Sequence, residues 1–191
     1  MKRIVRLLFA LPLLLLTACT AEEQYSTKYS CNFIFYTRYH ADCALTLVLG
    51  NPGQYVIVEP KFVAGVTHLV FTPNTGHWEQ HQLDVAMTSA IENKRISYDN
   101  MGANRRLIVG SSNFNGLKCY DGQCPNCLEQ GGSVNRPLSW ADDGKKLRCP
   151  RCNIVYNPNA QGIPENGNED TPRLLEYRVE PYNGESLYIH N

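Results

Sequence analysis

Four cysteines stand in two boxes, Cys124-Pro-Asn-Cys127 and Cys149-Pro-Arg-Cys152, with 21 residues between them. A CxxC box can fold into a tight turn that presents two sulfurs to one ion, and two such turns face to face complete a tetrahedron. The proline after each first cysteine pre-sets that turn. Three chemistries fit the set. A structural zinc is favoured, because four thiolates close the coordination sphere and no redox chemistry is needed. An iron centre, either one iron or a 2Fe–2S cluster, uses the same ligands. Disulfides are the third, in an oxidising compartment. In zinc knuckles a glycine usually follows the second cysteine; here Leu128 and Asn153 stand there. Asn tolerates a left-handed backbone and Leu does so poorly, which marks the first box as the weaker knuckle.

Of the other four among eight cysteines, Cys31 and Cys43 bracket a strand and turn and are the candidate disulfide. Cys119 reads as a small buried apolar residue rather than a reactive thiol. His77 and His81 have helical i, i+4 spacing, but Glu79 is one residue out of the register a metalloprotease needs, so they read as surface histidines. Asp142-Asp143-Gly144 reads as a loop tip. The sequence carries no nucleophile elbow, phosphate loop or triad ordering, and the expectation is a protein without enzymatic activity.

The elements that must position the boxes read as short antiparallel strands. Cys31–Tyr36, Ala44–Leu49, Tyr55–Glu59 and Val66–Phe71 are rich in β-branched and aromatic residues, and turn chemistries such as GNPGQ, PKFVAG and TPNTG separate them. Asp84–Arg95 is a short helix or a strand, with Val85, Ala86, Met87 and Ile91 facing inward. Leu107–Val109 and Leu117–Tyr120 are further strands around a turn at 110–116. Leu174–Val179 and Ser186–Ile189 flank Asn183-Gly184, a hairpin signal. The fold class is mainly β. Formal net charge is zero with no basic stripe, so no nucleic-acid partner is expected.

At the amino terminus, Lys2, Arg3 and Arg6 precede an apolar run, Leu7–Leu16. Ten residues cannot cross a hydrocarbon core that takes about 20 helical residues, but they fit the h-region of a secretory signal. Leu16-Thr17-Ala18-Cys19 resembles the lipobox of bacterial lipoproteins. That resemblance implies a signal peptide over 1–18, lipidation of Cys19 (diacylglycerol and fatty acids such as palmitate) and a tether over 19–29. More than one acyl chain gives stable membrane anchoring. Thr20, not Asp, follows Cys19, which points to the outer membrane, on its periplasmic or surface face.

From Met101 to the end the chain resembles the Rieske-type iron–sulfur fold, in a lipoprotein branch with altered ligands. The resemblance rests on LIVG at Leu107–Gly110, KCYDGQCPNC leading into the first box, CPRC, the Gly162-Ile163-Pro164 turn, Thr171-Pro172, and the tail LLEYRVEPYNGESLYIHN. It implies three small antiparallel sheets with two ligand loops at one tip, and a single domain over 30–191 with metal-binding loops in 119–157. Cys124 and Cys149 match the Rieske cysteines, and Cys152 stands at the second histidine position. Asn126 stands at the first, and Cys127 comes one residue late. Four cysteines thus replace the Cys2His2 set. With no imidazole, an iron cluster here would have a low potential.

These readings converge on an envelope lipoprotein with a structural four-cysteine site, most naturally zinc, in a binding or assembly role. The alternative is an electron carrier with an all-cysteine iron or 2Fe–2S centre.

Overall fold

Along Tyr55-Val56-Ile57-Val58 and along Leu107-Ile108-Val109 every side chain is buried. Strand geometry sends successive side chains to opposite faces, so a run buried throughout must be covered on both faces. The computed structural model, which describes residues 24–95 and 98–191, shows both covers. The leader and Cys19 lie outside the described residues.

Among the described residues, twelve strands form two antiparallel sheets. The larger is ordered β1 (Asn32–Phe35), β12 (Leu187–His190), β11 (Glu176–Val179), β6 (Gly116–Asp121), β5 (Leu107–Ser112), β2 (Tyr55–Val63), β3 (Val66–Pro73) and β4 (Asp84–Ala86), and it curls into a half-barrel. The smaller is ordered β10 (Ile163–Pro164), β9 (Val155–Asn157), β8 (Lys146–Arg148) and β7 (Ser139–Ala141). It follows β6 in the chain; the first cysteine box lies in the connection from β6 to β7 and the second directly follows β8. The mainly β reading therefore stands; two sheets are present among the described residues where the Rieske resemblance implies three.

Two cores follow the strand alternation. Val56, Val58, Leu107, Val109 and Cys119 join Phe33, Phe35, Leu45 and Met101 in one cluster. The alternate residues Tyr55, Ile57, Ile108 and Tyr120 pack with the cysteine boxes, Leu138, Leu147 and Tyr156 in the other. A side chain such as Ile108 contributes about 1.5–3 kcal/mol by full burial, so this second cluster binds the smaller sheet to the larger. Tyr55 and Tyr120 both donate from their hydroxyls to the Pro158 carbonyl at 3.1 Å, and the Trp140 indole N–H donates to Thr72 at 2.8 Å. Gly144 fits directly against the larger sheet's loop, since a Cβ there would meet the Asn74 carbonyl oxygen at 1.8 Å.

Several expectations need correction. Ala44–Val48 is a helix, α1, not a strand. Ala44, Leu45, Val48 and Leu49 are the buried positions, and that i, i+1, i+4, i+5 spacing is helical rather than alternating. The expected turn at PKFVAG shrinks to Ala64-Gly65, because β2 runs on to Val63. Pro60 is tolerated because β5 pairs with β2 only as far as Val58, leaving Pro60 one strand neighbour. Asp84–Arg95 splits into strand β4 and helix α2 (Ala90–Arg95), with Val85 and Met87 buried and Ile91 exposed. The last hairpin forms, but Val179 pairs with Ile189, so its loop is longer than two residues; Asn183 caps it by accepting from the Glu185 and Ser186 N–H groups.

The candidate Cys31–Cys43 disulfide is not formed: both are free and buried. Separate backbone bridges hold them, Cys31 to Met101 and Cys43 to Gln82. Burial pushes the Cys31 thiol up to about 12 and raises that of Cys43, which keeps both protonated and slow to exchange. Within the stretch read as a tether, Ser26 N–H donates to the Glu176 carbonyl at 2.7 Å, and the Asn191 side chain donates to the Ser26 and Tyr29 carbonyls. Residues 26–29 are thus fastened to the domain.

Candidate metal centre

The chain enters the site from the end of β6, where Asp121 is fully buried. Its carboxylate accepts from Gln123 N–H at 2.8 Å, Ala103 N–H at 2.7 Å and the Tyr177 hydroxyl at 2.8 Å. Burial still raises its pKa above the usual carboxylate value. The three bonds fix the turn that hands the chain to Cys124, whose N–H donates to Arg136 at 2.8 Å.

Pro125 then opens helix α3 (Pro125–Glu129), with Cys124 as N-cap and Leu128 N–H donating to the Cys124 carbonyl at 3.0 Å. A proline suits this first helical position, where its missing N–H costs nothing. The first box is a helical turn rather than a glycine-closed knuckle, so Leu128 needs no left-handed backbone and is buried.

The second box is the knuckle. Cys149 follows β8, its N–H donates to Ile154 at 3.0 Å, and Asn153 N–H donates back to Cys149 at 2.9 Å. Asn153 takes φ +60°, the left-handed conformation that its residue type tolerates.

All four sulfurs lie within 4.8 Å of one another. Two approaches cross between boxes, Cys124 to Cys152 at 3.6 Å and Cys127 to Cys149 at 3.7 Å. With metal–sulfur bonds of about 2.3 Å, a regular tetrahedron has edges of about 3.8 Å. A disulfide needs sulfurs at about 2.05 Å, and all four thiols are free. The four cysteines can thus hold one metal ion.

Neighbouring donors make the thiols unequal. Cys124, Cys127 and Cys149 are buried and Cys152 is partly exposed. Burial raises Cys124, offset in part by the Cys127 N–H and the Tyr156 hydroxyl. Cys127 is pushed up to about 11 by burial and by the neighbouring Cys152 and Cys149. At Cys152 burial acts in the same direction, but the Ile154 N–H, the Asn126 side chain and the other thiols outweigh it and bring Cys152 down to about 7. Asn126, inside the first box, thus acts on the Cys152 sulfur, helping to lower its pKa. The Tyr156 hydroxyl lies 3.6 Å from Cys124 Sγ. Nothing in the sequence pointed to Tyr156, which lies outside both boxes.

The remaining candidates stay apart from this centre. The His77 side chain is almost wholly exposed, and His81 bonds Asp42 at 2.7 Å. Asp142, Asp143 and Gly144 take three successive left-handed conformations at the β7–β8 turn. Among the described residues, the four cysteines are the one group of metal-ligating side chains gathered in this way.

Fold and site together define an antiparallel β protein with a four-cysteine cluster able to hold a metal. No model of a known protein family matches the chain, and no curated protein matches it.

Proposed function

We propose that this protein is an envelope lipoprotein of Rieske-like build, anchored through Cys19 to the outer membrane, whose four thiolates hold one zinc ion in a structural role. The observation that carries the metal reading is the sulfur tetrahedron: two cross-box edges of 3.6 and 3.7 Å and no separation above 4.8 Å. A two-iron cluster divides four thiolates between two metals and spreads the outer pairs apart. The tetrahedron favours a single ion. Zinc suits a closed set of four thiolates, and its ligation ties α3 to the β8–β9 knuckle. The lipobox and Thr20 support the anchor, and the absence of any catalytic ordering in the sequence supports a binding or assembly role.

A second reading is an electron carrier with one iron in the same tetrahedron, favoured by the partial exposure of Cys152, which gives electrons a route to the site. Elemental analysis and visible absorption of protein purified without oxygen separate the two. Zinc gives a colourless protein with one zinc per chain. A coloured protein with one iron per chain would replace the zinc reading with the electron-transfer one.

A further inference from the structure

Away from the cysteine cluster, a cleft of about 1110 Å³ opens between residues 24–28 and the segment 169–176. Its lining includes Lys118 and Glu176, whose Nζ and Oε1 lie 2.7 Å apart with both side chains about nine-tenths buried. An ammonium has three donors and a carboxylate two acceptor oxygens. The pair uses one donor and one oxygen, and its remaining hydrogen-bonding capacity is offered to the cleft that both residues line. A buried charge pair is costly unless its remaining hydrogen-bonding capacity is met.

The chemistry around this pair specifies the ligand. Three cations (Lys28, Lys118, Arg173) and three carboxylates (Glu169, Asp170, Glu176) cancel along the cleft, so neither an anion nor a cation is selected. The amides of Gln24, Asn115 and Gln161 offer paired donors and acceptors. Tyr25 supplies an aromatic wall, with the Arg178 guanidinium 5.1 Å from its ring. An extended peptide adding to the sheet has no place here, because β11 is flanked by β6 and β12 and Ser26 already pairs with Glu176.

We propose that this cleft binds a neutral polyhydroxylated ligand, a saccharide chain, whose hydroxyls bridge Lys118 and Glu176 while a ring face rests on Tyr25. A site built to hydrogen-bond hydroxyls loses its ligand when its polar groups are removed.

The test uses the full chain in detergent with chitotetraose, cellotetraose and maltotetraose as probes, read by saturation-transfer NMR and titration calorimetry. At least one saccharide is expected to bind. The paired substitution Lys118→Met with Glu176→Gln, which removes both charges at nearly constant volume, is expected to weaken binding at least about tenfold. Asn115→Ala, at an exposed position, is expected to weaken it several-fold with the fold unchanged. Three outcomes would overturn the proposal: no binding by any of the three sugars, equal binding in wild type and both variants, or displacement of the sugar by tetraglycine or inorganic phosphate.

Discussion

The Tyr156 hydroxyl lies 3.6 Å from Cys124 Sγ, in a pocket where both residues are buried. With the sulfur ionised on a metal, the hydroxyl is the donor, and outer hydrogen bonds of this kind orient ligands and tune affinity. Tyr156→Phe keeps the ring that packs against Leu147 and Cys124 and removes only that bond. The metal is expected to bind about 10-fold more weakly, with circular dichroism unchanged. Competition against a colorimetric chelator measures the difference.

Cys149→Ser removes one vertex of the tetrahedron from a fully buried position. Metal binding at such sites is coupled to folding, so the melting temperature should fall and hydrogen exchange should rise over 122–157 before it rises in the half-barrel. Stripping the metal from the wild type with a chelator should give the same pattern. An unchanged melting temperature in both experiments counts against a structural ion.

In the metal-free protein, Cys152 should be the first of the four to alkylate. It is the partly exposed thiol and its pKa lies at about 7, whereas Cys127 lies at about 11 and Cys124 is raised further by burial. The thiolate is the reactive form, so the iodoacetamide rate should climb as pH rises through 7 and level off above 8. Peptide mapping by mass spectrometry reads the order. Bound metal should suppress it, and acidification should release the metal because protons compete for every thiolate.

Asn153 tests the second knuckle by backbone alone, since its side chain makes no hydrogen bond among the described residues. Asn153→Gly should be tolerated within about 0.5 kcal/mol. Asn153→Val forces a β-branched residue into φ +60° and should cost about 1–3 kcal/mol. Denaturant unfolding of the two variants reads the contrast.

The two boxes, their proline-set turns and the left-handed Asn153 were legible because short-range chemistry decides them. Most strands of the larger sheet were legible as well, since β-branched runs between glycine and proline turns have few other solutions, whereas the four short strands of the smaller sheet, β7 to β10, were not read at all. What else the sequence hid was of three kinds. Ala44–Val48 is too short for its period to separate helix from strand. Pro60 reads as a breaker until the sheet shows that β5 has ended beside it. That Cys31 and Cys43 stay unpaired and that Tyr156 approaches Cys124 depend on which faces of distant strands meet, and spacing along the chain carries no record of that.

Zinc-edge X-ray absorption on the protein as purified, combined with metal stoichiometry and intact mass, tests the four-thiolate zinc site most directly. One zinc per chain with a single shell of four sulfurs at about 2.3 Å is expected. Two irons with inorganic sulfide, or a metal-free chain with both cysteine boxes oxidised, would contradict it.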